Sequence, residues 1–250
     1  MTFEEYFVEV KQEPHSSCIN LDPVKEAKYM QDYAYRFNRT LRAIPVSSRP
    51  LRMLDIGTTP FTMFLKYKFP HYDVCTLDRT DLLKERCRAA GIGLVSSNLD
   101  EGTIPVESGQ FDIVIFTEVL EHVFFPPTKI LSEIRRVLHT SGKLVLSVPN
   151  IATLGNRIKL ICGRTPLQHP DAQLNRTWVH GHGHLHEYTR DEIVSLCRGA
   201  GLAVVNCEML GVPVVDVLRT ARRSFGQLIY HQMQSIVPCF RAHIFLECQR

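Results

Sequence analysis

A doubly wound α/β fold, with a mostly parallel sheet, helices on both faces and an antiparallel C-terminal strand, is the architecture this sequence predicts. Three observations predict it. Strand-length apolar runs alternate with helical periodicity from about residue 50 to about residue 205. The run Ile113-Val114-Ile115-Phe116 is apolar without a break, the pattern of a strand covered on both faces. The first strand runs into Asp55-Ile56-Gly57 and the second ends at an acid, Asp78. In open α/β sheets ligands sit at such carboxyl ends.

Taken in order, residues 1–48 are polar and aromatic, with Tyr29, Tyr33, Phe37 and Leu41 at helical spacing, and read as an N-terminal helical cap on a domain spanning 49–250. After Pro50, Leu51 to Ile56 reads as a strand, then a turn and a helix through about Lys68, then a strand from Asp73 to Leu77, which completes a β-α-β unit. A helix around Leu82 to Ala90 stops at Gly91, Gly93 to Ser96 gives a third strand, and Phe111 to Phe116 a fourth. Pro127 to Leu138 has Ile130, Ile134 and Val137 in phase for a helix closed by Ser141-Gly142, before a fifth strand, Lys143 to Val148.

Residues 149–188 break the rhythm, being rich in Pro, Gly, Asn and His with one helical piece, Leu154 to Ile161. A long insertion of this kind is usually functional. Thr189-Arg190-Asp191-Glu192 is a capping box opening a helix with Ile193, Leu196 and Cys197 on its apolar face, and Gly201 follows its end. Leu202 to Met209 is a sixth strand, Val214 to about Val237 reads as helical, and Ala242 to Cys248 is a final strand.

The chain has 250 residues, 44% hydrophobic and 22% charged, enough to bury a large core. A net charge of +3 and a pI near 8.4 are too mild to argue for nucleic acid. The eight cysteines are scattered without a C-x-x-C pair, no N-terminal signal-like segment is present, and no apolar stretch approaches the roughly 18 residues of a membrane span. A reduced, cytoplasmic setting is the expectation.

The segment Phe111 to His122 concentrates the chemistry. A short helix starting near Thr117 would put Glu118 and Glu121 three apart on one face, with His122 adjacent. Two carboxylates so placed repel each other unless a cation or proton intervenes. His180, His182, His184 and His186 stand just before the Thr189 helix start and can complete such a cluster. Imidazoles with carboxylates suit Mn, Fe, Co or Zn, and Mg where waters fill the shell. At the other site, Gly57 lets a backbone approach a ligand closely, and Asp78 can accept both hydroxyls of a ribose. Asp55 as a turn cap and Asp78 as a solvated strand end are the plainer alternatives.

Together Asp55-Ile56-Gly57, Asp78, the Phe111 to His122 segment, Ser132 to Leu138, Ser141-Gly142-Lys143-Leu144 and Ser147-Val148-Pro149-Asn150 resemble class I S-adenosylmethionine-dependent methyltransferases over about residues 50 to 205. Their fold is the doubly wound Rossmann-like one. The likeness is to the ubiquinone-pathway O-methyltransferases and the type 11 and 23 methyltransferase group. It implies S-adenosylmethionine as cofactor, with Asp55, Gly57 and Thr58 under the methionine moiety, Asp78 on the ribose, Asn98 and Leu99 flanking the adenine, and Thr117 beside them. Two departures stand out: Thr58, Thr59, Pro60 and Phe61 follow Gly57 where glycines are usual, and Asn98 stands where an Asp is common.

The pattern E-x-x-E-H, a Pro-Asn turn and then H-x-x-E-aromatic-T also resembles two metal-dependent O-methyltransferase groups, the ubiquinone-pathway enzymes and the small-RNA 3'-terminal ribose 2'-O-methyltransferases. By that resemblance Glu118, Glu121, His122 and His184 are metal ligands, Glu118, His122 and His184 are catalytic, and His182 or His186 is a base. E-V-L-E-H also occurs in methyltransferases without a metal, so the ligand set stays open at this point. The expected activity is O-methylation of a small hydroxylated molecule of sugar or secondary-metabolite type, assisted by a divalent ion (Mg, Mn, Zn or Fe). The alternatives are a 3'-terminal ribose 2'-O-methyltransferase of RNA and a non-catalytic cofactor-binding homologue. Two basic groups, Arg157, Lys159, Arg164 and Arg219, Arg222, Arg223, read as solvated faces or as contacts for a phosphate. Trp178 and Tyr188 flank the histidines as pocket walls or as core.

Overall fold

The structure, a computed structural model, describes residues 29, 31–167, 183–211 and 225–250. A seven-stranded sheet in the order β3-β2-β1-β4-β5-β7-β6 forms its centre, from β1 (Arg52–Ile56), β2 (Asp73–Asp78), β3 (Gly93–Ser96), β4 (Phe111–Thr117), β5 (Leu138–Pro149), β6 (Ala203–Leu210) and β7 (His243–Gln249). The first five pair in parallel, and β7 inserts antiparallel between β5 and β6.

Why β4 reads as an unbroken apolar run is visible in its packing. Val114 and Phe116 enter one core with α4 (Pro127–Val137) and α6 (Arg190–Gly199), while Ile113 and Ile115 enter the other. The second core is closed by α1 (Ala34–Ala43), α2 (Pro60–Lys68) and α3 (Lys84–Ala89), through Phe37, Phe61, Phe64 and Cys87. Successive strand side chains point to opposite faces, so a strand with helices on both sides cannot alternate in polarity.

Local signals decide several ends. Thr59 caps α2 in a capping box with Thr62, with Pro60 at the first helical position, where its missing N–H costs nothing. Thr189 and Glu192 form the expected capping box on α6. The helical piece of the insertion is α5 (Leu154–Ile161), and α7 covers Phe225–Ile236. The remainder of the helix expected from Val214 lies outside the described residues, as do His180, His182, Trp178, Arg219, Arg222 and Arg223.

Two expectations need correction. The turn expected at Ser141-Gly142 belongs to β5, which starts at Leu138 and shifts register against β4 between Phe111 and Ile113. Gly142 is required there, because a Cβ would lie 2.8 Å from the His139 carbonyl oxygen and 3.0 Å from that of Phe111. No helix starts at Thr117. The Glu118 N–H continues the ladder by donating to the Ser147 carbonyl at 2.9 Å, the chain then reverses at Glu118 with φ +56°, and a 3₁₀ turn covers Leu120–His122. Glu118 and Glu121 therefore do not share a helical face.

Candidate functional site

At the tips of β1 and β2 the backbone is held by its own side chains. Gly57 has φ +92°, a conformation that a Cβ strains, and its N–H donates to the Leu77 carbonyl at 2.8 Å. A Cβ at Gly57 would also stand 3.1 Å from Val119 Cγ2, so the loop after β4 closes over this turn. The Thr58 N–H donates to Asp78 Oδ2 at 3.1 Å, the Thr80 N–H to Asp78 Oδ1 at 3.3 Å, and the buried Thr58 hydroxyl pairs with that of Thr76 at 3.0 Å. Threonines thus do by side-chain hydrogen bonds what a glycine-rich run does by conformational freedom.

Asp55 is 3% exposed, and its Oδ2 accepts from the Thr62 hydroxyl at 2.6 Å. Burial pushes its carboxyl up to about 7, against the smaller downward pull of that hydroxyl. Asn98 caps the 3₁₀ turn Leu99–Glu101 by accepting from the Asp100 N–H, and Leu99 is buried in the core beside it. Thr117 closes β4, paired with Ser147 of β5. The turn therefore fits a nucleoside-bearing cofactor: the backbone is open where Gly57 lacks a Cβ, and an acid with its carboxylate fixed by two N–H groups stands at the tip of β2.

The tip of β4 holds two carboxylates with opposite surroundings. Glu118 Oε1 accepts from the Ser147 hydroxyl at 2.8 Å, and Oε2 meets His243 Nδ1 at 3.0 Å and an Arg36 guanidinium nitrogen at 3.1 Å. Burial would raise this carboxyl, but His243, Arg36 and the Ser147 hydroxyl outweigh it and hold the group far below the usual carboxylate range. Arg36 is itself buried, donates to the Tyr29 hydroxyl at 2.8 Å and lies over the Tyr33 ring at 5.0 Å.

Glu121 is 1% exposed, and neither carboxylate oxygen has a hydrogen-bond partner. Burial, joined by the nearby Glu118 charge, pushes its carboxyl well above the usual range. His122 Nε2 stands 3.8 Å from Glu121 Oε1 and His184 Nε2 4.0 Å from it, with the two rings edge to face at 4.9 Å. Ligand atoms of Glu121, His122 and His184 lie within 4.8 Å of one another, the metal-type group found among the described residues.

The insertion is brought there by main-chain bonds. Leu185 N–H donates to the Glu121 carbonyl at 2.7 Å, Tyr188 N–H to the Pro149 carbonyl at 3.2 Å, and Asn150 bridges to Tyr188. His184 Nδ1 pairs with Glu187 Oε1 at 3.0 Å, which turns Nε2 toward Glu121. His186 points elsewhere, its Nε2 at 2.9 Å from Glu192 Oε1, and Tyr188 is buried.

So of the four candidate ligands the structure gathers Glu121, His122 and His184. Glu118 is instead occupied by an ion pair. Arg36, His243 and Ser147 were not singled out in the sequence. A signal existed only for Arg36, a cation on the same helical stripe as Tyr33 and Phe37.

A family model described as a methyltransferase domain matches residues 25–206. The chain belongs to the methyltransferase-domain family. Its members' class I S-adenosylmethionine-dependent fold is also that of a methyltransferase structure from Mesorhizobium loti, 17% identical, covering 85% of this chain and 96% of that one with a TM-score of 0.59. A structure from Thermotoga maritima described as a possible histamine N-methyltransferase is 13% identical, with a TM-score of 0.57, covering 99% of this chain and 97% of that one. At such identities the likeness is one of fold. Among curated proteins, an uncharacterized 37.1 kDa protein of a transposon from Streptomyces fradiae is 27% identical over 185 residues, 68% of this chain and 47% of that protein. The chain thus spans about half the length of that relative. No helix among the described residues is long and apolar enough to cross a membrane.

Proposed function

We propose that this methyltransferase-family chain moves a methyl group from S-adenosylmethionine to a hydroxyl of a small acceptor of sugar or secondary-metabolite type, with a divalent ion held by Glu121, His122 and His184. The observation that carries the reading is Glu121, a buried carboxylate whose two oxygens are both unpartnered while two imidazoles face it. Leaving such a group unpaired costs several kcal/mol, roughly 3 or more. A cation at that point removes the cost, and the donor set of one carboxylate and two imidazoles suits a borderline ion.

When bound, the cofactor would supply an electrophilic methyl group and leave as S-adenosylhomocysteine, and the ion would supply the charge that makes the acceptor hydroxyl acidic enough to release its proton to solvent. The chain's own residues do the rest. Gly57 and Thr58 bring the backbone against the methionine moiety, Asp78 receives the ribose hydroxyls, and Asn98 and Leu99 border the adenine. Glu187 keeps His184 in the tautomer and orientation that present Nε2. Glu118 takes no part as a ligand in this reading. Held ionised by Arg36 and His243, it fixes the reversal of the chain that aims Glu121 and His122. His186, paired with Glu192, is left out of the proton transfer.

The test combines calorimetry with S-adenosylmethionine and methyl transfer to a panel of sugars and phenols. Cofactor binding is expected to survive chelation, whereas turnover is expected to vanish and to return with added Mn, Zn or Mg. Glu121→Ala and His184→Ala should each lose that metal response and keep cofactor affinity. Full turnover in chelator would overturn the metal, and no cofactor binding by the folded protein would overturn the enzyme reading.

A further inference from the structure

Away from the strand tips, α5 and α7 carry the largest gathering of exposed apolar side chains among the described residues. On α5 and just beyond it stand Ile158, Leu160, Ile161 and Leu167, with Ile161 85% exposed. On α7, Ile229, Met233 and Ile236 recur at positions i, i+4 and i+7, one stripe of a helix, and Ile236 is 72% exposed. The helices are neighbours: a Cβ on Gly155 would meet the Tyr230 hydroxyl at 3.4 Å, and Arg157 lies over the Phe240 ring at 5.5 Å. A concentration of this kind marks an interaction surface.

Charge says what that surface fits. Arg157, Lys159 and Arg164 are exposed among the isoleucines and leucine of α5 and its C-terminal tail. None of the chain's 26 Asp and Glu falls in residues 150–167 or 225–246, the described segments that carry these two helices. A second copy of the chain would set like charges against each other. A nucleic acid would be met by aliphatic side chains where stacking needs aromatics. Aliphatic side chains interleaved with cations and free of acids match the boundary of an anionic bilayer, where the apolar groups enter the acyl edge and the cations meet headgroups.

We propose that the α5–α7 face docks on an anionic lipid bilayer. The docking is peripheral and independent of the reading of the strand-tip site. Sedimentation of the full chain with phosphatidylcholine vesicles, with and without phosphatidylserine, tests it. Retention on the anionic vesicles only, falling as salt is added, is the expected result. Lys159→Gln with Arg164→Gln should weaken partitioning about 30-fold, since each cation near such a surface contributes about 1 kcal/mol. Ile158→Ser with Ile161→Ser should abolish it, and both double variants should keep the parent's melting temperature because the substituted side chains are exposed. No retention, or equal retention on neutral vesicles, would overturn the proposal. So would a dimer that the Ile158→Ser, Ile161→Ser variant converts to monomer, or salt-dependent binding to RNA in place of vesicles.

Discussion

The tips of β1 and β2 and the tip of β4 lie in the same sheet, yet they are built in different ways. Around Asp55 and Asp78 nearly every partner comes from within one β-α-β unit: Thr58, Thr62, Thr76 and Thr80. Around Glu118 and Glu121 the partners come from the whole chain, with Arg36 from α1, Ser147 from β5, His184 from the insertion and His243 from β7. A site made of near neighbours forms whenever its supersecondary unit forms. One made of distant residues exists only when the domain is complete, so its stability and its geometry stand or fall together.

Removing Arg36 gives the largest test of that difference. Arg36→Ala strips a buried cation from the largely buried Glu118 carboxylate, and breaking such a pair typically costs about 4 kcal/mol, or roughly 10 °C in Tm for a chain of this size. Glu118→Gln added to Arg36→Ala should recover part of the loss, because the uncompensated charge is gone. Additive losses in thermal melts would mean that the two ends of this pair are not coupled.

An effect of similar size is expected at Asp55, and it depends on pH. The buried carboxyl holds its proton up to about 7, above its unfolded value, so the folded state is favoured below the unfolded pKa. That contribution is lost as pH rises from about 4 to about 7, by about 4 kcal/mol. Melting of the cofactor-free protein should fall through this window, and Asp55→Asn should flatten the fall. An unchanged slope in the variant would assign the pH dependence elsewhere.

Gly57→Ala is the mildest change. Its positive φ and the 3.1 Å approach to Val119 Cγ2 predict a loss of about 1–2 kcal/mol in stability, with weaker S-adenosylmethionine binding by calorimetry. Wild-type affinity in Gly57→Ala would place the cofactor away from this turn.

Legibility in the sequence follows the same division. The strands, the helix ending near Lys68, the helix from Pro127, the insertion helix Leu154–Ile161 and the Thr189 capping box were readable because periodicity and capping chemistry act within a few residues. The turn after Gly57 was readable as unusual, but its remedy was not, since Thr58 and Thr59 work through hydrogen bonds that need Asp78 and Thr62 in place. The reversal at Glu118 was not readable. Residue spacing carries no mark of φ +56° in a glutamate, and such a backbone persists only where surrounding contacts compel it.

What the sequence by itself determined is the doubly wound sheet, its element order and the presence of acids and imidazoles at the strand tips. Those properties follow from patterns that each segment carries alone. Only the tertiary structure decided that Glu118 belongs to Arg36 and His243 while Glu121 faces His122 and His184. The physical reason is that burial and Coulomb pairing act through space. Two glutamates three residues apart were interchangeable until the chain closed around them and left one paired and the other unpartnered.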